Sequence, residues 1–371
     1  MSKVLLLGNS DLVIYNFRME LVERLLADGH HVVISAPYGE RIEELTRIGC
    51  EYHDIKLSRH GINPLEELEL IRTYRKLMKQ VRPDIIFSYT IKPNLYGAIA
   101  ARQLKIPFIA NITGLGTAVE YDGILQKVTV LLYKFAFSSV HRVFFQNEEN
   151  KQFFVERKIA CGKHGLLPGS GVNLSRFHPM PYPSSDKIEF AFISRIMKEK
   201  GIDQYLDAAQ YIRRKYPNTV FHICGFCEQD YEQRLRELEA EGVIVYHGML
   251  RDIRTILPEL HCTIHPTYYP EGMSNTLLET CACARPIITT DRAGCREIVD
   301  DGVNGFVCAQ RDSGDLIAKI ERFMQLSHEQ REEMGRQARL KVERCFDRQI
   351  VVEKYMMEVR NLGRVQESVK K

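Results

Sequence analysis

The chain has 371 residues, 44% of them apolar and 27% charged, with a formal net charge of +3. It exceeds the size at which one core keeps growing, so two globular domains are expected. The charge, about +4 over residues 1–163 and about −1 over the rest by count, is too weak for nucleic-acid binding but suits peripheral contact with anionic lipid.

Strand and helix patterns alternate along the chain, which predicts parallel sheets covered by helices on both faces. Residues 4–7, 31–35, 85–88, 108–112 and 142–146 read as strands, with helical patterns between them, notably over 17–28 and 64–81. Residues 124–140, ILQKVTVLLYKFAFSSV, are the nearest approach to a membrane span, but Lys127 and Lys134 interrupt them. They read either as a buried helix of an α/β domain or as an interfacial helix with its lysines at headgroup level. Residues 167–187, rich in Pro, Gly and Ser, read as a linker. The pattern then restarts, with strands over 189–194, 219–224, 243–247, 262–265, 286–289 and 305–307, and helices over 202–215, 230–241, 253–258 and 275–284. From Ser327 the chain is helical and charged, ending in the basic Ser368-Val369-Lys370-Lys371. The fold class is α/β: two doubly wound, Rossmann-like domains over 1–170 and 188–345, joined by 171–187 and facing across a cleft. Residues 346–371 form a helical segment expected to pack back on the first domain. Ligands in such sheets bind at the carboxyl ends of the strands. Ten cysteines without a framework pattern, and no signal-peptide pattern before the strand-like VLLLG, point to a reducing cytoplasmic setting.

The densest chemistry lies in TIHPTYYPEGMSNTLLETCACARPII, residues 263–288, where Glu271 and Glu279 stand eight apart. Ser274 or Asn275 fits a helix N-cap whose side chain accepts from an orphan N–H. The positive helix start favours an anion, with one carboxylate on each side for sugar hydroxyls; the plain alternative is two solvated glutamates. In Ser194-Arg195-Ile196-Met197-Lys198-Glu199-Lys200-Gly201, Arg195 offers a bidentate fork and Lys200 a compact charge to a diphosphate. Gly248, Met249 and Leu250 sit in a strand-to-helix turn whose backbone suits a nucleobase edge. In the first half, Asn16 and Arg18 open a helix, and Arg18 in a first turn opposes the macrodipole unless an anion lies near. Thr90 and Lys92 follow a strand end, where Lys92 suits an acceptor phosphate. Thr113, Gly114 and Gly116 follow another, the glycines admitting close backbone approach to a ligand.

No GxGxxG follows the first strand and no Walker loop is present, so dinucleotide and P-loop sites are unsupported. Cys224 and Cys227 form a lone CxxC, and Cys281 with Cys283 is a poor second pair for zinc. No DxD motif is present to clamp a diphosphate through a divalent metal. The histidines, among them His30, His31 and His265, read as satisfied or exposed.

Together, Glu271 and Glu279 in EGMSNTLLE, Arg195 and Lys200 in SRIMKEKG, and Gly169-Ser170-Gly171-Val172-Asn173 resemble glycosyltransferase family 4, retaining enzymes of the GT-B fold. SYTIKPNLYGAIAAR and ITGLGTAV look like the bacterial branch acting on undecaprenyl-diphosphate-linked sugars, which includes N-acetylgalactosaminyltransferases. The resemblance implies a UDP-sugar donor, no metal cofactor, and a polyprenyl-diphosphate-linked glycan as acceptor. It also implies action at the inner face of the cytoplasmic membrane. Arg195 and Lys200 would bind the donor diphosphate, Glu279 the ribose, and Glu271 the donor sugar. The backbone from Gly272 through Met273, Ser274 and Asn275 to Thr276 would surround sugar and phosphates. Asn16, Arg18, Thr90, Lys92, Thr113, Gly114 and Gly116 are the acceptor-side candidates. Many family members carry a His near the donor sugar in the first domain. Here Thr113, Gly114 and Gly116 stand in that region, and no general base is assigned. A UDP-sugar epimerase or phosphorylase of the same fold, a hexose transferase, and a non-catalytic scaffold are the alternatives.

Overall fold

The computed structural model describes residues 1–57, 63–116, 119 and 123–369; Thr117, Ala118 and the Lys370-Lys371 end lie outside the described residues. The chain divides into two units, the first joining Met1–Gly171 with Arg348–Lys371, the second spanning Val172–Asp347.

In the first unit β1 (Lys3–Leu7), β2 (His31–Ala36), β3 (Glu51–Asp54), β4 (Ile85–Tyr89), β5 (Phe108–Ile112), β6 (Arg142–Phe145) and β7 (His164–Leu166) form a parallel sheet of order β3-β2-β1-β4-β5-β6-β7. Helices α1 (Asp11–Ala27), α2 (Ile42–Arg47), α3 (Pro64–Val81), α4 (Ile91–Leu104), α5 (Ile124–Ala136) and α6 (Glu148–Glu156) connect the strands. The run VLLL is apolar throughout because successive side chains enter opposite cores. Leu5 and Leu7 join the cluster with Tyr74 and Phe145, while Val4 and Leu6 join the one with Phe87 and Tyr355. The sequence reading lacked β3 and β7, short strands at the two edges of the sheet.

The second unit repeats the plan with β8 (Ile188–Ile193), β9 (Thr219–Cys224), β10 (Val245–Gly248), β11 (Cys262–His265), β12 (Ile287–Thr290) and β13 (Gly305–Cys308), all parallel, in the order β10-β9-β8-β11-β12-β13. Its helices are α7 (Ile202–Lys215), α8 (Glu232–Ala240), α9 (Asn275–Ala282), α10 (Ser313–Met324) and α11 (His328–Cys345). The helix expected over 253–258 is a single 3-10 turn, Ile253–Thr255.

Residues 172–187, read as linker, belong to the second unit. Arg285, fully buried, donates to the carbonyls of Met180 (3.1 Å), Pro181 (2.7 Å) and Leu257 (2.9 Å). Its fork of N–H donors thereby fastens this segment to the second unit through backbone carbonyls. The C-terminal segment read as 346–371 divides: Phe346 and Asp347 stay with the second unit, and α12 (Arg348–Val369) returns to the first and packs on α1. Buried Arg348 donates to the Glu20 carboxylate (3.0 Å) and to the carbonyls of Asn16 (3.0 Å) and Gly171 (3.1 Å).

Candidate active site

Within each sheet the strand order reverses near the centre, between β1 and β4 and between β8 and β11. Loops leaving the carboxyl ends diverge there and open a crevice.

In the second unit that point brings Arg195, Lys200 and Glu271 together. The loop after β8 is tied to its neighbour by Ser194 N–H to Cys224 O (3.0 Å) and Ile196 N–H to Phe226 O (2.9 Å). It ends in a 3-10 turn, Lys198–Lys200, and in Gly201 at φ +78°. A Cβ on Gly201 would fall 2.1 Å from the Pro266 carbonyl oxygen, so glycine lets this loop lie against the one after β11. Tyr268 N–H and Thr267 Oγ1 then donate to Glu199 O at 2.9 and 3.3 Å. The result is a largely buried ion pair of Lys200 Nζ with Glu271 Oε1. The Tyr269 ring lies 4.8 Å from Lys200 Nζ and 5.4 Å from the Arg195 guanidinium, close enough for cation–π attraction to both. Arg195, half-exposed, also pairs with Glu228.

On the other side Gly294, at φ +88°, leaves no room for a Cβ, which would stand 2.7 Å from Gly272 O and 2.9 Å from Glu271 Cβ. Its carbonyl accepts from Ser274 N–H at 2.9 Å. Ser274 occupies the N-cap of α9 in extended backbone, but its hydroxyl makes no cap bond. The Asn275 Oδ1 is buried without a hydrogen-bond partner among the described residues. The expected side-chain cap is therefore corrected: Ser274 is held through its backbone by Gly294, and neither side chain caps the first turn of α9. Met273 turns its side chain into the core, leaving only its backbone near the loop. Thr276 and Glu279 are half-buried on α9, with Glu279 in the second turn as expected. Gly248, at φ +64°, accepts from Gly225 N–H (2.8 Å); Met249 beyond it is exposed, and Leu250 packs partly on the core.

Burial alone would raise the Glu271 carboxyl, but the Lys200 charge and His265 outweigh it and bring it down to about 2. Burial lowers His265, against the pull of Glu271. At neutral pH Glu271 is thus a carboxylate and His265 uncharged, and the pair can accept hydroxyl hydrogens but has no acidic proton to give. His265 corrects the reading of the histidines as satisfied or exposed. It is 2% exposed, its ring nitrogens have no hydrogen-bond partner among the described residues, and Glu271 lies 3.8 Å away.

The first unit treats its candidates differently. Helix α1 starts at Asp11, after Ser10 in extended backbone, so Arg18 sits in its third turn and not in a first turn. Arg18 is 2% exposed, its guanidinium 4.5 Å from the Tyr89 ring and 5.9 Å from that of Tyr355. Lys92 Nζ lies 2.7 Å from Glu67 of α3, both mostly buried. Asn111 donates to Ser88 O (3.0 Å) and accepts from Tyr355 Oη (2.6 Å) inside the core. Thr90, at φ +71°, has a buried hydroxyl without a partner among the described residues. Thr113, Gly114 and Gly116 are half-buried, the glycines at φ +139° and +71°, and Asn16 is exposed.

Sequence reasoning missed Tyr269, His265 and Gly294; the nearest signal was Tyr269, two residues before Glu271 in TYYPEG. Among the described residues no cluster of His, Cys, Asp or Glu could hold a metal ion, and no helix is long and apolar enough to cross a membrane.

Residues 3–147 match the glycosyl transferase 4-like family, and residues 178–341 match the glycosyl transferases group 1 family. The chain is 27% identical over 332 residues, 85% of its length and 87% of the relative's, to the N,N'-diacetylbacillosaminyl-diphospho-undecaprenol alpha-1,3-N-acetylgalactosaminyltransferase of Campylobacter jejuni. It is 24% identical over 282 residues, 71% of its length and 72% of the relative's, to the UDP-Gal:alpha-D-GlcNAc-diphosphoundecaprenol alpha-1,3-galactosyltransferase of Escherichia coli. Among solved structures, a glycosyltransferase from Rickettsia africae superposes with a TM-score of 0.82 at 18% identity, covering 97% of this chain and 98% of that one. Anabaena HepE in complex with UDP and glucose superposes at 0.78 and 16%, covering 97% and 100%.

Proposed function

This chain belongs to the glycosyltransferases, with a 4-like first part, a group 1 second part and the GT-B fold, and from that premise we propose a donor, an acceptor and a mechanism. The enzyme moves an N-acetylhexosamine such as N-acetylgalactosamine from a UDP-sugar to a hydroxyl of a polyprenyl-diphosphate-linked glycan, at the inner surface of the cytoplasmic membrane and with retention. The observation that carries this reading is the Lys200–Glu271 pair beside Arg195 at the β8/β11 reversal. The names of the two relatives, both acting on undecaprenyl-diphosphate-linked sugars, support the acceptor class. The UDP-Gal of the Escherichia coli relative keeps a hexose donor as the second reading.

Charge develops on the departing diphosphate as the glycosidic bond breaks, and fixed cations at that position lower the barrier most. Arg195 and Lys200 supply two, and the uncapped start of α9 adds N–H donors. With these charges in place no divalent metal is needed. Glu271, ionised, holds donor-sugar hydroxyls; Glu279 holds the ribose; and the backbone of residues 248–250 meets the base. The departing diphosphate takes the proton of the incoming hydroxyl on the same face of the sugar, around an oxocarbenium-like centre. Asn16, Thr113, Gly114 and Gly116 contact the acceptor through amide, hydroxyl and backbone.

The test is a screen of UDP-N-acetylgalactosamine, UDP-N-acetylglucosamine, UDP-galactose and UDP-glucose against a synthetic polyprenyl-diphosphate sugar, with and without EDTA. Product linkage is read by NMR. An α-linked product with an N-acetylhexosamine, unaffected by EDTA, is expected. Conversion of a donor without acceptor, or transfer to water-soluble acceptors only, would overturn the reading.

A further inference from the structure

Helix α5 carries more exposed apolar surface than a water-facing helix needs. Ile124, Leu125, Val128, Leu131 and Phe135 are each more than half exposed, whereas Gln126, Tyr133 and Ala136 on the opposite side are buried. At 100° per residue, four of the five fall within about 60° of arc, a stripe along the whole helix. Isolated exposed apolar residues are ordinary; a contiguous stripe marks a contact surface.

Positive charge accompanies the stripe. Lys127 and Lys134 are exposed about 70–90° round the helix from its centre. At the carboxyl end of α5 a pocket of about 420 Å³ is lined by Arg102, Lys105, Ser139, His141 and Lys163 among others. It is continuous with the stripe: Arg102 donates to Ser138 Oγ (3.0 Å) with its guanidinium 5.4 Å from the Phe135 ring, and Lys163 Nζ reaches Ser138 O at 3.4 Å. Among the described residues none of Lys127, Lys134, Arg102, Lys105 and Lys163 has a carboxylate at ion-pair distance.

We infer that α5 and the basic pocket at its end form a docking surface for an anionic lipid bilayer, with the apolar stripe entering the acyl boundary and the pocket receiving lipid phosphate. The helix, about 20 Å long, lies in the interface plane. A second copy of this chain fits the surface poorly, because a twofold contact of α5 with α5 would set the same unpaired lysines near one another. The inference shares with the proposed function only the idea of a lipid-borne acceptor, and its test needs no sugar transfer.

Flotation of the full chain with vesicles of phosphatidylethanolamine and phosphatidylglycerol, against phosphatidylcholine alone, reads the binding. The expected result is binding to the anionic vesicles that weakens with salt. It should fall about tenfold or more in Leu131→Gln/Phe135→Gln and in Lys127→Glu/Lys134→Glu, each folding with wild-type circular dichroism. Equal flotation of wild type and both variants would overturn the inference. So would a concentration-dependent dimer abolished by Leu131→Gln/Phe135→Gln, which would assign the stripe to self-association. Intact flotation in a protein that transfers no sugar would count against the proposed function alone.

Discussion

The two sheets reverse their order in the same way, yet their central strand ends are furnished differently. In the second unit, Lys200, Glu271 and Arg195 converge around one tyrosine ring, held by loops that only glycine at 201 and 294 allows to touch. In the first, the charged candidates are held separately: Arg18 lies under Tyr89 and Tyr355, and Lys92 is paired with Glu67. The other candidates there are hydroxyl, amide and glycine backbone. A shared topology supplies the place for a site, while the loops at the strand ends decide whether its charges converge. In the second unit two cations and a carboxylate meet around one ring, and in the first each charge keeps its own partner.

The largest effect tests the convergent side. Lys200→Ala and Glu271→Ala should each lower kcat on the order of 10³-fold with the circular dichroism spectrum preserved; turnover within tenfold of wild type would remove the pair from the chemistry. Gly294→Ala should come next, at roughly 10²-fold in kcat/KM for the donor, because the added methyl pushes on Gly272 and Glu271. A donor KM and kcat both at wild-type values would show that the loop yields. For the first unit, Lys92→Met leaves Glu67 without its cation and should cost about 2–3 kcal/mol in urea unfolding, with acceptor KM changed less than about threefold. A tenfold rise in acceptor KM without loss of stability would place Lys92 on the ligand and erase the contrast. The smallest effect is a pH dependence that stays flat. With its folded-state pKa brought from 4.5 to about 2, Glu271 contributes stability that is complete above the unfolded value and lost as pH falls toward the folded one. The difference in Tm between wild type and Glu271→Gln should hold from pH 8 to 5 and narrow between 4.5 and 2; narrowing near neutrality would contradict the ion pair.

Much of the second unit was legible because its strands are marked by apolar runs and its charged motifs follow them directly. Arg195, Lys200 and Glu271 were singled out by the rule that ligands gather at strand carboxyl ends, together with the resemblance of their motifs. The misreadings have two causes, groups far away in sequence and a misplaced local boundary. Residues 172–187 look like a linker because Pro, Gly and Ser erase any local period, and what fastens them is Arg285, a hundred residues on. Arg18 looked like a first-turn cation because the helix was started too late; DLVIYN, preceded by Ser10, already belongs to α1. His265 sits in a short apolar strand, where nothing in the sequence tells a satisfied ring from one left without partners beside a carboxylate.

The return of α12 to the first unit has a consequence for synthesis. Val351, Val352, Tyr355, Met356 and Val359 complete the core that begins with Val4 and Leu6, and the Tyr355 hydroxyl satisfies buried Asn111. On the ribosome, about 170 residues of the first unit must therefore wait, with the core under α1 and α2 still open where α12 will pack, while the whole second unit is made. The second unit is contiguous and can close as it emerges. The order of folding is thus the reverse of the order of translation: the unit made first is finished last.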